Sequence, residues 1–458
     1  NLLHNVKTYV ACLNPNSNIL VVNWCPQYHD MGLIGNILFG PYSGQPIVLM
    51  SPIAFLQKPV RWLKAISKYK ATISGGPNFA YELCLRKVTD EDIASLDLSS
   101  WEMAYNGAEF IRPSTLERFY QRFKTCGFRK TAISTVYGLA ESTLVVTAAK
   151  ASKEYVASYL DVESLRRNKA VDLDASNPDG RWLIGCGPVI DQELRIVNPD
   201  NRHSCLDNEV GEIWVKGQSV CQGYWGRPDK TKETFQAIIA DTNEGPFLRT
   251  GDLGFVRDGE LYVTGRHKEV VIIDGRNLYP QDIEDTAQQG RPPFRSGCGA
   301  AFSIEVNGRE ELVLVQELAK KITTSDTDFK ALVASVRKEI LDIFGVPVFD
   351  FVLIDQGSFL KTSSGKIRRR GMRDKYLQGK LKISAQFSQA PITQGTHESK
   401  SFESSKHAIK QSFKALESKV TERGPSARVS VVNSLPPLEG PEVKLQLEKL
   451  LVSLLSSF

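Results

Sequence analysis

The stretch FLRTGDLGFVRDGELYVTGRHKE, residues 247–269, decides the fold prediction and organises the rest of the chain. Two short apolar runs, residues 254–256 and 261–263, flank the pair Asp258-Gly259. Such a pair between apolar runs is typical of a β-hairpin with a tight turn. The second run leads into polar residues and then into a further apolar run, so the sequence predicts consecutive strands in this part of the chain.

Asp252 is the first candidate functional residue in this stretch. Gly251 and Gly254 permit backbone conformations that other residues resist, so we expect Asp252 to lie on a turn rather than in a buried strand. A carboxylate presented on a turn accepts two hydrogen bonds from a vicinal diol such as a ribose. An ordinary hairpin with a solvated rim is an equally valid interpretation of this short motif taken alone.

The residues upstream alternate between apolar strands and amphipathic helices. Strands are predicted at residues 19–22, 46–50 and 71–74, and an amphipathic helix is predicted at residues 59–69 between the last two. This alternation predicts a large α/β domain built on a doubly wound layer. Short strands further along, between residues 193 and 215, predict a β-rich subdomain attached to it.

The pattern changes after Lys268, where an amphipathic helix at residues 329–344 and a strand at residues 349–354 predict a small α+β domain. From Ser384 the composition turns to Ser, Gln, Thr and Lys, which is typical of a linker. The last residues return to apolar helical spacing, which indicates either a further domain or a helix that docks back. The predicted order is a main domain at residues 1–267, a small mobile domain at 268–382 hinged to it, a linker at 383–440, and the start of a further helical domain at 441–458, for which a carrier protein is a candidate.

The composition excludes several classes of protein. The chain has 458 residues, and 57 Lys and Arg against 52 Asp and Glu give a net charge of +5, which is too dispersed to predict a nucleic-acid partner. Its eight cysteines form no CxxC pair, so neither a zinc site nor a disulfide framework is predicted. No apolar run reaches membrane-spanning length. We therefore expect a cytoplasmic protein without an integral membrane segment.

Two loops that follow predicted strands carry polar side chains. Ligands of open α/β sheets lie beyond the carboxyl ends of the strands, so residues 106–109, Asn-Gly-Ala-Glu, are a candidate loop at the edge of a nucleotide site. In the second loop, Tyr137 offers a ring that can stack on a base, and Glu141 offers oxygen ligands for a hard cation such as Mg²⁺. A strand-to-helix turn whose glutamate is favoured by the helix dipole explains Glu141 equally well.

Two further segments have open interpretations. His29 and Asp30 head a glycine-rich helix after a strand, where they either bind or gate a ligand or only start a helix that Asp30 caps. Lys366 follows a Ser/Gly loop and precedes a helix, but Leu360 stands where a Walker loop needs its first glycine. A lysine on such a loop can swing onto a phosphate or carboxylate, and a solvated basic loop is the alternative.

Taken together, these motifs carry a family resemblance over about residues 1–382. The chain resembles the adenylate-forming superfamily of acyl-CoA synthetases, peptide-synthetase adenylation domains and luciferases, and within it the fatty acyl-AMP ligases. Residues 150–182 stand where that branch carries extra sequence relative to acyl-CoA ligases. The motifs, all in family order, are PQYHDMGLIG, GGPNFAYELC, NGAE, YGLAEST, FLRTGDLG, ELYVTGRHKE, GRNLYPQDIE and KTSSGKI.

The resemblance implies an enzyme that activates a fatty acid with ATP to acyl-adenylate and pyrophosphate, with Mg²⁺ as cofactor. The acyl group would then pass to the phosphopantetheine thiol of an acyl carrier protein, in cis or in trans. An acyl-CoA ligase and an inactive nucleotide-binding fragment of a larger synthase are the alternatives. The implied roles are catalysis for Lys366 and Glu141, metal binding for Glu141, nucleotide binding for Asn106, Gly107, Ala108, Tyr137, Gly138, Asp252 and Arg266, acyl binding for His29, Asp30 and Met31, and a hinge at Lys268.

The sequence departs from the family pattern in two places. The Ser/Thr/Gly-rich phosphate loop of the family would lie just before Asn1, so the main domain is expected to be incomplete at its N-terminus. Leu360 replaces the proline that usually precedes the Lys-Thr-Ser-Gly-Lys run. Because pyrophosphate needs a cradle of backbone N–H groups, we expect this chain alone to be a weak or inactive enzyme.

Overall fold

The computed structural model describes residues 1–13, 18–150, 153–273, 276–319, 329–362 and 365–388. Residues Asn1–Ala390 form one compact unit. The predicted helical start at residues 441–458 and most of the predicted linker lie outside the described residues. None of the helices within the described ranges is long and apolar enough to cross a membrane.

A six-stranded sheet forms the centre of the large domain, with its strands in the order β2-β1-β3-β4-β5-β6. All neighbours run parallel except β5 and β6, which are antiparallel. The predicted α/β alternation is confirmed. The strands are β1 (Val21–Asn23), β2 (Ile47–Leu49), β3 (Ile73–Gly76), β4 (Met103–Asn106), β5 (Ile133–Gly138) and β6 (Val145–Ala148).

Helices connect these strands and cover the sheet. A π-helical segment, Leu33–Leu38, joins α2 to α3, and a 3₁₀ turn at Ala140–Ser142 follows β5. Helix α5 buries Trp62, whose indole N–H donates to the Ser74 hydroxyl of β3 at 2.7 Å. The helices are α1 (Leu2–Ala11), α2 (Asp30–Gly32), α3 (Phe39–Ser43), α4 (Pro52–Gln57), α5 (Val60–Tyr69), α6 (Asn78–Lys87), α7 (Asp90–Ala94) and α8 (Pro113–Phe123).

The β-rich subdomain is a four-stranded antiparallel sheet in the order β12-β11-β10-β9, beside a two-stranded pair of β7 and β8. The polar residues 150–182 thus hold regular elements, which weak periodicity on a small two-stranded sheet does not reveal. The elements are β7 (Ala157–Asp161), α9 (Val162–Arg166), β8 (Gly180–Ile184), β9 (Glu193–Val197), β10 (Gly211–Lys216), α10 (Pro228–Phe235), β11 (Leu248–Arg257) and β12 (Glu260–Arg266).

The small domain has a four-stranded sheet in the order β15-β16-β17-β18, with apolar cores on both faces. Leu312 and Leu314 of β16 belong to the core that contains residues of α11 and α12, whereas Val313 and Val315 belong to the core that contains Met372 of α13. Its elements are β13 (Val271–Ile273), β14 (Arg276–Leu278), α11 (Pro280–Gln288), β15 (Phe294–Val306), β16 (Arg309–Leu318), α12 (Phe329–Phe344), β17 (Val348–Ile354), α13 (Arg369–Leu377) and β18 (Ile383–Ser388).

Strand β18 corrects the predicted start of the linker at residue 383. It pairs antiparallel with β17, with Phe351 opposite Phe387 and Leu353 opposite Ala385. The Ser and Gln residues that indicated a linker belong to an edge strand, where polar side chains face solvent and apolar ones alternate with them. The small domain therefore extends at least to Ser388.

Polar side chains join the two domains. Arg112, at the start of α8, donates from Nε to Asp285 of α11 at 2.7 Å. Arg181 of β8 forms an ion pair with Asp282 of α11, and its guanidinium stacks over the Tyr279 ring at 5.5 Å. These contacts join α11 of the small domain to two segments of the large domain, and one of them, at Arg112, follows the candidate loop 106–109.

Candidate functional site

Asp252 lies at the centre of a buried hydrogen-bonded group. The Tyr137 hydroxyl donates to its Oδ2 at 2.9 Å, and Arg266 Nε donates to its Oδ1 at 3.0 Å. Burial raises the pKa of Asp252, and the Arg266 charge opposes that shift. The Arg266 side chain remains 64% exposed, so this arrangement presents one buried anion beneath an accessible cation.

The backbone at Asp252 differs from the prediction of a turn. Asp252 lies inside strand β11 and is only 7% exposed. Gly251, at φ +72°, lies where β11 bulges against β10: Leu253 stands opposite Glu212 and Arg249 opposite Trp214, so three residues of β11 face one of β10, and the chain does not reverse. A bulge re-aims a side chain without ending the ladder, which explains how a strand residue points into the site.

Glu212 of β10 supports this bulge and was not identified from the sequence. Its buried carboxylate accepts from Arg249 Nε at 2.8 Å, from Trp214 Nε1 at 2.9 Å and from the Gly251 amide at 3.0 Å. Gly251 directly precedes Asp252, and Arg249 lies three residues before it. The only signal in the sequence was an acidic residue in an otherwise apolar strand, and buried carboxylates are rare unless they are paired.

The loop after β4 lies where the sequence analysis expects a nucleotide edge. Asn106 is fully buried, and its side-chain N–H donates to Asn78 Oδ1 at 3.4 Å. Its Oδ1 has no hydrogen-bond partner among the described residues. A Cβ at Gly107 would lie 2.6 Å from both the carbonyl oxygen and the Cγ2 of Val136, so β5 packs directly against this loop. The next residue, Ala108, adopts φ +66°.

The end of β5 carries the second group of candidates. Tyr137 and Gly138 are the last residues of the strand, and a Cβ at Gly138 would lie 1.7 Å from the Leu144 carbonyl oxygen. Glu141 follows on the 3₁₀ turn Ala140–Ser142, and strand β6 comes next instead of the helix that the strand-to-helix interpretation expects. Its Oε1 accepts from the Tyr224 hydroxyl at 2.7 Å, and burial together with Glu141 raises the pKa of Tyr224 to about 12.

The donors around Glu141 fit only one kind of cation site. No group of three or more His, Cys, Asp or Glu side chains in the described part of the chain could hold a metal ion. Mg²⁺ is commonly held by one or two carboxylates together with substrate phosphates rather than by an all-protein cage. A single carboxylate such as that of Glu141, oriented by the Tyr224 hydroxyl bound to its Oε1, fits that mode.

Lys366 is brought to this site by the small domain. Burial lowers the pKa of Lys366, with a smaller contribution from Arg266, and the charges of Asp30, Glu109 and Asp252 oppose that shift. The adjacent Gly365, at φ +87°, packs against Phe79 of the large domain. A Cβ at Gly365 would lie 3.1 Å from the Phe79 ring. Lys366 thus lies among groups from three separate segments of the large domain.

The segment after β1 corrects the predicted helix cap. His29, not Asp30, is the N-cap of α2, with its ring accepting from the Met31 amide at 3.3 Å. Asp30 is the first helical residue, and its Oδ1 accepts from the same amide at 2.7 Å and lies 2.5 Å from His29 Nδ1. Burial alone would raise the pKa of Asp30, but His29 and Lys366 bring it below its usual value.

Lys268 is exposed and lies in the 3₁₀ turn His267–Glu269 between the two domains. Glu269 in the same turn pairs with Arg369 Nη1 at 2.7 Å. Arg369 also pairs with Glu284, and neither residue was identified from the sequence because the pair joins positions 85 residues apart.

Two family profiles match the chain. Residues 1–225 match the AMP-binding enzyme family, and residues 268–386 match the AMP domain of the Disco-interacting protein 2-like family. A medium-chain-fatty-acid–[acyl-carrier-protein] ligase of Moorena producens is 44% identical over 384 residues, which are 83% of this chain and 65% of that protein. The chain therefore spans just under two thirds of the length of that relative.

Solved structures agree in fold. The fatty acyl-adenylate ligase of Legionella pneumophila, in complex with acyl adenylate and pyrophosphate, is 40% identical with a TM-score of 0.59, and the match covers 84% of this chain and 67% of that one. A structure from a study of fatty acyl-adenylate ligases of E. coli and L. pneumophila is 33% identical with a TM-score of 0.74, covering 82% and 66%. On these matches and on the site geometry, the chain belongs to the fatty acyl-AMP ligase family of adenylate-forming enzymes.

Proposed function

We propose that this chain activates a fatty acid with ATP, forming acyl-adenylate and pyrophosphate, and that the acyl group then passes to the phosphopantetheine thiol of a carrier protein. One observation carries the proposal: Lys366 of the small domain lies among the charges of Asp30, Asp252 and Arg266 of the large domain. A mobile cation at this place is what the attack of a carboxylate on a phosphate requires, because both reactants are anionic.

The nucleotide is assigned to the ends of β4 and β5. The unpartnered buried Oδ1 of Asn106 offers an acceptor for an exocyclic amine such as that of adenine. Asp252, with Arg266 beside it, offers a carboxylate for the ribose hydroxyls. Gly107 and Gly138 let their segments pack directly against Val136 and Leu144, which fixes the backbone on either side of the proposed base site.

The acyl chain is assigned to the segment after β1. His29 and Asp30 form a close polar pair at the start of α2, and Met31 behind them is buried. Asp30 also lies within the electrostatic range of Lys366. The fatty acid carboxylate would thus meet the α-phosphate between the acyl segment and the nucleotide segment, under Lys366. The names of the relatives support a fatty acid as substrate and a carrier protein as partner.

Glu141 is the residue that would hold Mg²⁺, with Tyr224 orienting its carboxylate. When bound, this ion would supply positive charge that neutralises the phosphate oxygens. Lys268 is assigned as the hinge on which the small domain turns after adenylation, withdrawing Lys366 so that a thiol can enter. We also propose a cytoplasmic location, supported by eight cysteines that are all free of disulfides.

The test is Lys366→Ala in the intact protein. Loss of one preorganised electrostatic group commonly lowers the rate by about 10²–10³-fold, so ATP–pyrophosphate exchange should fall by that factor. Transfer from supplied acyl-adenylate to a carrier thiol should persist, and Lys380→Ala, on an exposed loop, serves as the control. Unchanged exchange in Lys366→Ala would contradict the assignment. Acyl-CoA formed from added CoA would instead favour an acyl-CoA ligase, and nucleotide binding without pyrophosphate release would favour a non-catalytic module.

A further inference from the structure

The hairpin that carries Lys366 is closed by its own backbone. The Thr362 amide donates to the Lys366 carbonyl at 2.8 Å, and the Arg368 amide donates to the Leu360 carbonyl at 3.1 Å. Lys361 and Ile367 form an isolated β-bridge between these two bonds. The position of Lys366 is therefore set by whatever holds the two ends of this hairpin.

Each end is held by a buried carboxylate. At the first end, the Phe359 amide donates to Glu317 Oε2 at 2.8 Å, and Glu317 is completely buried and paired with Arg295. At the second end, Arg369 donates from Nε to Glu284 Oε1 at 2.7 Å and from Nη2 to Oε2 at 2.8 Å. Two parallel bonds of this kind fix the plane of the guanidinium as well as its distance.

The remaining guanidinium nitrogen of Arg369 bonds to a residue outside the hairpin. Its Nη1 donates to Glu269 Oε2 at 2.7 Å, and Glu269 follows Lys268 directly in the turn between the domains. The Glu269 side chain is 20% exposed and that of Arg369 17% exposed, so water competes little for this pair. One guanidinium thus connects the turn between the domains, helix α11 and the end of the Lys366 hairpin.

We propose that Arg369 is a positioning residue that couples the hinge turn to Lys366 through Glu269. The inference rests on the proposed function, because it assigns Lys366 to adenylation and Lys268 to the hinge. When the hinge turn rotates, the Glu269–Arg369 bond moves the hairpin with it, so the position of Lys366 follows the angle of the domain. Without that bond the hairpin keeps its anchor on Glu284 but loses its connection to the hinge.

The sharpest variant is Glu269→Ala, because Arg369 stays paired with buried Glu284 and the fold is retained. A misplacement of about 1 Å can cost about 10²-fold in rate, so we expect ATP–pyrophosphate exchange to fall about 10- to 100-fold. Transfer of the acyl group from supplied acyl-adenylate to a carrier thiol should change less than about twofold, since Lys366 takes no part in it. Glu269→Gln, which keeps an oxygen acceptor, should recover part of the loss.

Glu193→Ala is the matched control, since Glu193 also pairs with cations, Arg195 and Lys216, but on an exposed strand away from the hinge. The coupling would be overturned if Glu269→Ala lost adenylation and acyl transfer equally, or if its ATP–pyrophosphate exchange did not fall. Hydrogen exchange supplies a readout that needs no activity: the amides of Thr362 and Arg368 should exchange faster in Glu269→Ala than in Glu193→Ala. If the wild-type protein makes no adenylate, the proposed function fails. The coupling is then judged separately by hydrogen exchange: equal rates at the Thr362 and Arg368 amides in Glu269→Ala and Glu193→Ala would reject it.

Discussion

Replacing Glu212 by Gln tests whether a buried carboxylate holds the bulge that carries Asp252. Glu212 is 3% exposed, and four N–H groups point at it: two from Arg249, one from Trp214 and the amide of Gly251. Glutamine keeps the shape, but it offers one acceptor oxygen, and its own N–H₂ group faces these donors. Oε2 accepts from Arg249 and Trp214, and Oε1 accepts from the Gly251 amide, so a glutamine whose oxygen stands at Oε2 leaves one donor, the Gly251 amide, without an acceptor.

The expected cost follows from that count. A buried donor without a partner costs about 1–3 kcal/mol, and only the Gly251 amide is left in that state. Arg249 is 19% exposed and keeps an acceptor oxygen, so we expect a loss of about 1–3 kcal/mol in the free energy of unfolding. Because Gly251 adjoins Asp252, the KM for ATP should rise while the KM for the fatty acid changes little.

Urea denaturation measures the first effect, and initial rates of pyrophosphate exchange measure the second. Glu260→Gln is the matched control, because Glu260 also accepts from a backbone amide, that of Gly187 at 2.8 Å. That control should cost about 1 kcal/mol or less, since it breaks at most one hydrogen bond. A loss below about 1 kcal/mol in Glu212→Gln, with both KM values unchanged, would refute the reasoning.

Two further substitutions test the site and the domain interface. Asp252→Asn should raise the KM for ATP by about 10- to 100-fold, because a hydrogen bond to a charged acceptor is worth about 1 kcal/mol more than one to a neutral acceptor and a ribose makes two; an unchanged KM in the exchange assay would exclude the ribose role. Burial raises the pKa of Asp282 from 3.8 to about 6 against the opposing charge of Arg181, so the folded state binds this proton more tightly than the unfolded chain. The stability of the wild type relative to Asp282→Asn should therefore fall as the pH rises from about 4 to about 6, and urea midpoints that keep a constant difference over this window would contradict the shift.

Local patterns in the sequence predicted the elements whose signal is local. Helix α12 begins at Phe329 and ends at Phe344 as predicted, because its buried residues Val333, Val336 and Ile340 recur at helical spacing. The hairpin of β11 and β12 turns at Asp258-Gly259, where both residues adopt positive φ. Patterns of this kind need no knowledge of distant partners.

Features that depend on distant partners were not predictable in the same way. Asp252 lies in a strand because Glu212, forty residues earlier in the chain, holds the bulge, and nothing next to Asp252 reveals that. Strand β15 was missed because Gly297 and Gly299 interrupt its apolar alternation. The Arg369 pairs with Glu269 and Glu284 cross 100 and 85 residues, so only folding brings their charges together.

The tight packing of β5 against its neighbouring loops has a consequence for laboratory evolution of the enzyme. A Cβ at Gly107 would collide with Val136, and one at Gly138 would collide with the Leu144 carbonyl, in both cases with backbone that has no room to retreat. Saturation libraries at these two positions should return almost only glycine, whatever nucleotide is selected for. Under the proposed assignment of the base to the ends of β4 and β5, variants that accept a different base must arise instead from side chains such as Tyr137, so few single substitutions at this place are open to selection.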